Sequence, residues 1–162
     1  MKQLILLFAL LVGMIVFSAW LGKGGLDQIN LNSLRGSRET VKIGEITVEV
    51  EIADTPEEHE KGLSGRNSLP EDQGMLFVMP PNSQPSFYMF DMKFALDFIW
   101  INDEHVIGFT ENVEPPDDNE EDNLPTYESP TPVDYVLEVN AGFVEKNKIS
   151  VDDKVELPEN LK

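Results

Sequence analysis

The 162-residue chain predicts a mainly β domain, an antiparallel sandwich or jelly-roll-like fold with one short helix, carried behind an N-terminal membrane helix. Three observations carry this. Apolar residues alternate with polar ones at period two from residue 41 onward, proline and glycine fall between the alternating runs, and Leu4 to Leu21 contains no charge.

The apolar run comes first in the chain. As a helix at about 1.5 Å per residue it reaches roughly 27 Å, close to the approximately 30 Å hydrocarbon core of a bilayer. Residues 1–21 therefore read as a signal anchor. A cleaved leader is the competing reading, with Lys2 as its positive end and Val16 and Ser18 as small residues before a cut. Against cleavage, Phe17 and Trp20 crowd Ala19, and Trp20 suits a membrane interface. Residues 22–40, rich in Gly, Asn and Ser, read as a flexible stalk. The expected arrangement is a single-pass protein of the cell membrane with its globular domain, residues 41–158, outside the cytoplasm.

Val41 and Ile43 alternate with polar neighbours, parity flips across Gly44-Glu45, and Ile46, Val48, Val50 and Ile52 alternate again. Such a flip marks a tight hairpin turn or a bulge. Thr55, Pro56, Glu57 and Glu58 then open a helix with a capping box, and Gly62 closes it. Further strands are expected at 75–79, 87–92, 94–101, 106–110, 133–139 and 154–157, with Asn102-Asp103-Glu104 forming a hairpin-length loop. The aromatic-rich runs 87–92 and 94–101 read as buried on both faces, which makes Asp91 and Asp97 unusual.

Charge narrows the function classes. Twelve Lys and Arg against 30 Asp and Glu leave a net charge of -18. Phosphate neutralisation needs clustered cations, so nucleic acid is not an expected partner. Absence of cysteine removes disulfides, thiolate metal sites and a thiol nucleophile.

Gly62-Leu63 with Arg66, Gly74-Met75-Leu76-Phe77, Phe87-Tyr88-Met89, Leu96-Asp97, and Leu137-Glu138 with Gly142 occur in an order and spacing that resembles the domain of unknown function 192 family. The resemblance spans roughly residues 41–158. It implies a compact β-sandwich or jelly-roll-like domain, often exported, with no established biochemical activity. The family pattern has a Trp-Met-Lys-Asn-Thr-like run where this chain reads Tyr88-Met89-Phe90-Asp91-Met92, a departure that removes a cation, an amide and a hydroxyl.

Arg66, Asp91, Asp97 and Glu138 are the charged members of these motifs, joined as candidates by Tyr88 and Met89. A carboxylate on an apolar strand needs a cation or backbone donors, and Arg66 is one of few basic residues in the domain. The expectation is a clamp from Arg66 to these carboxylates. A pocket for a small polar ligand, or paired carboxylates doing acid-base work on a sugar-like substrate, are the other readings. His59 and His105 read as solvated surface positions, and Tyr88, Phe94, Phe98 and Trp100 as core rather than a stacking face. Asp117, Asn119, Glu121 and Glu128 follow the spacing of a calcium loop, but Asp122 stands where that loop needs glycine, so the segment reads as a solvated loop. The function expected is a non-catalytic binding or accessory module without a cofactor, whose small-molecule or protein partner the sequence does not name. A carboxylate-dependent hydrolase is the alternative.

Overall fold

The alternation that begins the domain folds as read. In a computed structural model describing residues 39–116 and 124–161, β1 (Glu39–Ile43) and β2 (Ile46–Ala53) form a hairpin whose two-residue turn holds Gly44 at a φ of 58°. Positive φ costs glycine nothing and matches the strand twist. Thr55 then caps α1 (Pro56–Lys61): its side chain accepts from the Glu58 N–H at 3.2 Å, and the Glu58 carboxylate accepts from the Thr55 N–H at 3.1 Å.

The remaining strands are β3 (Gln73–Ser83), β4 (Ser86–Phe87), β5 (Leu96–Asn102), β6 (His105–Val113), β7 (Tyr127–Glu128), β8 (Val133–Asn140) and β9 (Val155–Glu156). Seven of them form one sheet in the order β6-β5-β8-β3-β2-β1-β9, and β4 pairs with β7 in a separate ribbon. The fold is mainly β, with the sheet curled into a half-barrel. This corrects the expected pair of antiparallel sheets, because β2 and β3 run parallel. A parallel pair needs a crossover, and residues 54–72, with α1 in them, supply it.

Both faces of the sheet are covered. On one, Val48, Val50, Leu76, Ile99, Ile101 and Leu137 meet Phe143 and Val144 of α2 (Phe143–Asn147) and Ile149 beyond it. On the other, Ala53, Met75, Phe77, Phe98, Trp100 and Val136 meet Leu63 and Leu69 of the crossover and Met89 and Met92. β5 alternates between the two cores, so it is buried on both faces as its composition indicates. The β5–β6 turn, Asp103-Glu104, has both residues at positive φ, 49° and 57°, the tight hairpin geometry that suits acidic residues poorly and strand twist well.

Three other expectations change. Of residues 87–92 only Phe87 is strand, the second residue of β4; the rest is a loop, and Asp91 in that loop is exposed with a φ of 51°. The expected stalk gives way to strand at Glu39, and α2 is a second helix that the sequence reading lacks. Leu4 to Leu21 and the acidic residues Asp117, Asn119 and Glu121 lie outside the described residues. Within those that are described, no helix is long and apolar enough to cross a membrane, and no group of three or more His, Cys, Asp or Glu could hold a metal ion. Glu128 is exposed on β7.

Candidate ligand cavity over Glu138

Strand register decides which carboxylates meet. Glu51 of β2 is aligned with Met75 of β3, Met75 with Glu138 of β8, and Glu138 with Phe98 of β5. Aligned residues on adjacent strands point to the same face, so this row lies in the core beneath the crossover, with Glu51 and Glu138 two strands apart. Gly74 lets β3 come close beside it: a Cβ there would stand 2.6 Å from the Glu138 carbonyl oxygen.

Arg66 is drawn to the outer end of the row. Its guanidinium donates two hydrogen bonds to Glu51, at 2.8 and 2.7 Å, in a pair whose side chains are 33% and 40% exposed. The expected clamp therefore exists, but on Glu51. None of Asp91, Asp97 and Glu138 is its hydrogen-bonded partner. Glu51 won because it stands at the sheet row nearest the end of the crossover, a position set by the parallel pairing of β2 and β3.

Asp97 solves its burial differently. Fully buried, its carboxylate accepts the Asn112 N–H at 2.8 Å and the Val144 N–H at 3.0 Å. The first bond secures a bulge in β6, where Asn112 has a φ of 53°. The second satisfies an N-terminal amide of α2, whose N-cap is Gly142 and offers no side chain. Asp97 is a structural cap facing away from Glu138. Asp91 stays in its exposed loop, where its carbonyl accepts the Gly65 N–H at 2.9 Å.

Glu138 is left with neither solution. It is 6% exposed, and among the described residues no hydrogen-bond donor reaches its carboxyl. Burial pushes its pKa up to about 8, against a weaker downward pull from the Arg66 charge. At neutral pH it is therefore mostly a neutral acid.

The group lines a cavity of about 140 Å³. Phe77, Met79, Phe87, Met89, Met92 and Leu96 supply most of its walls, and His59, Lys61, Ser64 and Tyr88 stand around it. Tyr88, 49% exposed, marks where it meets the surface. There it shares Glu60, Lys61, Ser64 and Tyr88 with a shallower groove that continues past Phe90 and Asp91. Phe87 is fixed by edge contacts to Phe77 at 5.1 Å and Trp100 at 5.9 Å. Gly62, at a φ of 45°, lets the α1 end lie on the Phe77 ring, 3.4 Å from where a Cβ would stand.

His59, expected to be solvated, is half-buried on this wall, with Nε2 3.1 Å from the Ala53 carbonyl oxygen and its ring 5.9 Å from that of Phe77. Its position in an acidic helix hid this, and six residues are too few for an apolar face to reveal it. Tyr88 and Met89 belong to the cavity, as does Glu138, while Phe98 and Trp100 are core. His105 is exposed, as expected.

The described part of the chain is thus a mainly β domain with a cavity of about 140 Å³ over a buried acid. It belongs to the domain of unknown function 192 family (DUF192, "Uncharacterized ACR"), whose model matches residues 39–157. Gly62, Leu63, Phe77, Phe87, Tyr88, Met89, Leu96 and Glu138, all part of the motifs that carry the resemblance, line the cavity together. No curated protein matches the chain significantly. Two solved structures are similar: a Sinorhizobium meliloti protein described as a candidate transcription regulator, with TM-score 0.66, 28% identity, and coverage of 74% of this chain and 93% of that one, and a Novosphingobium aromaticivorans protein of unknown function, with TM-score 0.65, 30% identity, and coverage of 74% and 83%.

Proposed function

We propose that the chain is a membrane-tethered, non-catalytic module whose β domain binds a small ligand in the cavity over Glu138. The observation that carries this is Glu138 itself: a carboxyl 6% exposed that faces a cavity of mixed polar and apolar lining and accepts no hydrogen bond from the described residues. No fully buried side-chain oxygen or nitrogen among those residues lacks a partner, so the Glu138 oxygens open to the cavity, where a ligand can take the place of water against them. Convergence of a polar group with apolar and aromatic walls is the usual build of a small-molecule site.

Hydrolysis by two carboxylates is less well supported. It needs a pair flanking one bond, roughly 5 to 9.5 Å apart, and of Asp91, Asp97 and Glu138 only the last faces the cavity. Nor does the relative described as a regulator lend DNA binding to this chain, since a net charge of -18 opposes phosphate contacts.

Melting the full chain in the presence of small cationic, neutral and anionic compounds tests the binding reading. Some compounds of about seven heavy atoms should raise the melting temperature, and Met79→Trp, which fills the cavity from its half-buried wall, should abolish the effect. Absence of any stabilising compound, or equal stabilisation of Met79→Trp, would contradict it.

The tether rests on the uncharged run Leu4 to Leu21, and the outside orientation is proposed along with it. Protease added to intact cells should then remove the β domain. Protection until the membrane is broken would reverse the orientation, and a mature chain starting near Ala19 would remove the anchor.

A further inference from the structure

Resting on the binding reading above, we propose that the ligand of the cavity is a small organic ammonium ion, held by the Glu138 carboxylate beneath it and by the rings of Phe77, Phe87 and Tyr88 around it. Of the oxygen-bearing side chains that line the cavity, Glu60, Ser64, Ser86, Tyr88 and Glu138, only two are carboxylates, and no group of three or more His, Cys, Asp or Glu among the described residues could hold a metal ion, whereas calcium or magnesium needs six or more oxygen ligands. An ammonium carrying methyl or methylene groups has no such need. Its charge is spread over C–H groups that suit aromatic faces and thioethers, and one carboxylate neutralises it. An anion would instead meet Glu138 and Glu60 with Lys61 to offset only one of them, inside a protein of net charge -18 that repels anions and concentrates cations.

Size fits as well. A cavity of about 140 Å³ is close to the roughly 150 Å³ that holds one benzene ring, so the ligand, or the part of it that enters, is limited to about seven heavy atoms. Larger substituents would have to leave past Tyr88 into the groove beside Phe90.

The charged groups nearby set how binding responds to pH. Arg66, from the loop after α1, acts on Glu138 through space, but Glu51 of β2 holds its guanidinium by two hydrogen bonds. Lys61, Glu60 and His59 of α1 stand around the cavity. A permanent cation captures only the ionised form of Glu138, so its affinity rises as that carboxyl loses its proton.

Choline, its neutral isostere 3,3-dimethylbutan-1-ol and the anion 3,3-dimethylbutanoate separate the possibilities on the full chain in a non-ionic detergent. Of six methionines, Met79, Met89 and Met92 line the cavity, and their ¹³C-methyl resonances report occupancy. Choline should shift them and bind about tenfold or more tightly than the alcohol at pH 8.5, as a cation–ring and ion-pair contribution requires. Glu138→Gln should erase that preference. If the alcohol binds as tightly as choline, or Glu138→Gln keeps the preference, the ammonium assignment is overturned while the cavity remains a binding site. If none of the three compounds moves the resonances of Met79, Met89 or Met92, the ammonium assignment falls. Should the melting screen also find no ligand, the binding reading falls with it.

Discussion

Asp97 and Glu138 are both carried into the interior by apolar strands, and they end in opposite states because only one finds donors. Asp97 receives two backbone N–H groups at 2.8 and 3.0 Å. Asp97→Ala removes both acceptors and leaves one buried and one part-buried amide unsatisfied, so it should destabilise the domain by roughly 1 to 4 kcal/mol in urea melts. Arg66→Met makes the opposite case. Its pair with Glu51 is more than a third exposed on one side, and such pairs contribute about 0 to 1 kcal/mol. A loss near 3 to 5 kcal/mol, the range for breaking a buried pair, would show Arg66 to be holding Glu138 directly. The sequence singled out these residues correctly as charges among apolar neighbours. It could not pair them, since Arg66 meets Glu51 only through the parallel register of β2 and β3. Parity alone could have separated Asp97 from Glu138: the first shares a face with Ile99 and Ile101, the second with Val136.

Among the elements, those with local signals were legible and those closed by distant partners were not. Alternation across Gly44-Glu45 and the Thr55 capping box were readable because their partners are near in sequence, within 11 residues for the hairpin and within four for the cap. α2 was missed because its cap is Asp97, 47 residues away. Residues 87–92 imitated a strand as a run of aromatic and apolar side chains, but Asp91 takes a left-handed turn and sends the chain over the cavity as a loop. Gly74 is the element-scale test of the site. Gly74→Ala would put a Cβ 2.6 Å from the Glu138 carbonyl oxygen, closer than any packed contact, so β3 and β8 must part. A destabilisation of about 1 to 3 kcal/mol is expected, together with shifts of the Met79 and Met89 methyl resonances as the floor moves. Unchanged stability would mean that the two strands are not held this closely.

At the scale of the whole molecule, one buried acid should dominate how stability depends on pH above 5. An acid whose pKa rises on folding from 4.5 to about 8 binds a proton in the folded state that the unfolded state has released. Stability is therefore highest below pH 4.5 as far as this group is concerned, falls as pH rises toward about 8, and levels off beyond it. The full effect is at most about 5 kcal/mol. Glu138→Gln, which has no proton to lose, should flatten the profile and be the more stable protein at pH 9. The central claim is that Glu138 stands as an unpaired, mostly neutral acid on the floor of a ligand cavity, and ¹³C NMR titration of its side-chain carboxyl in the full chain tests that most directly. The account predicts a midpoint at about 8. A midpoint near the ordinary value of 4.5 would contradict it, because the carboxyl would then be solvated or paired and the cavity would hold no unmatched group for a ligand to meet.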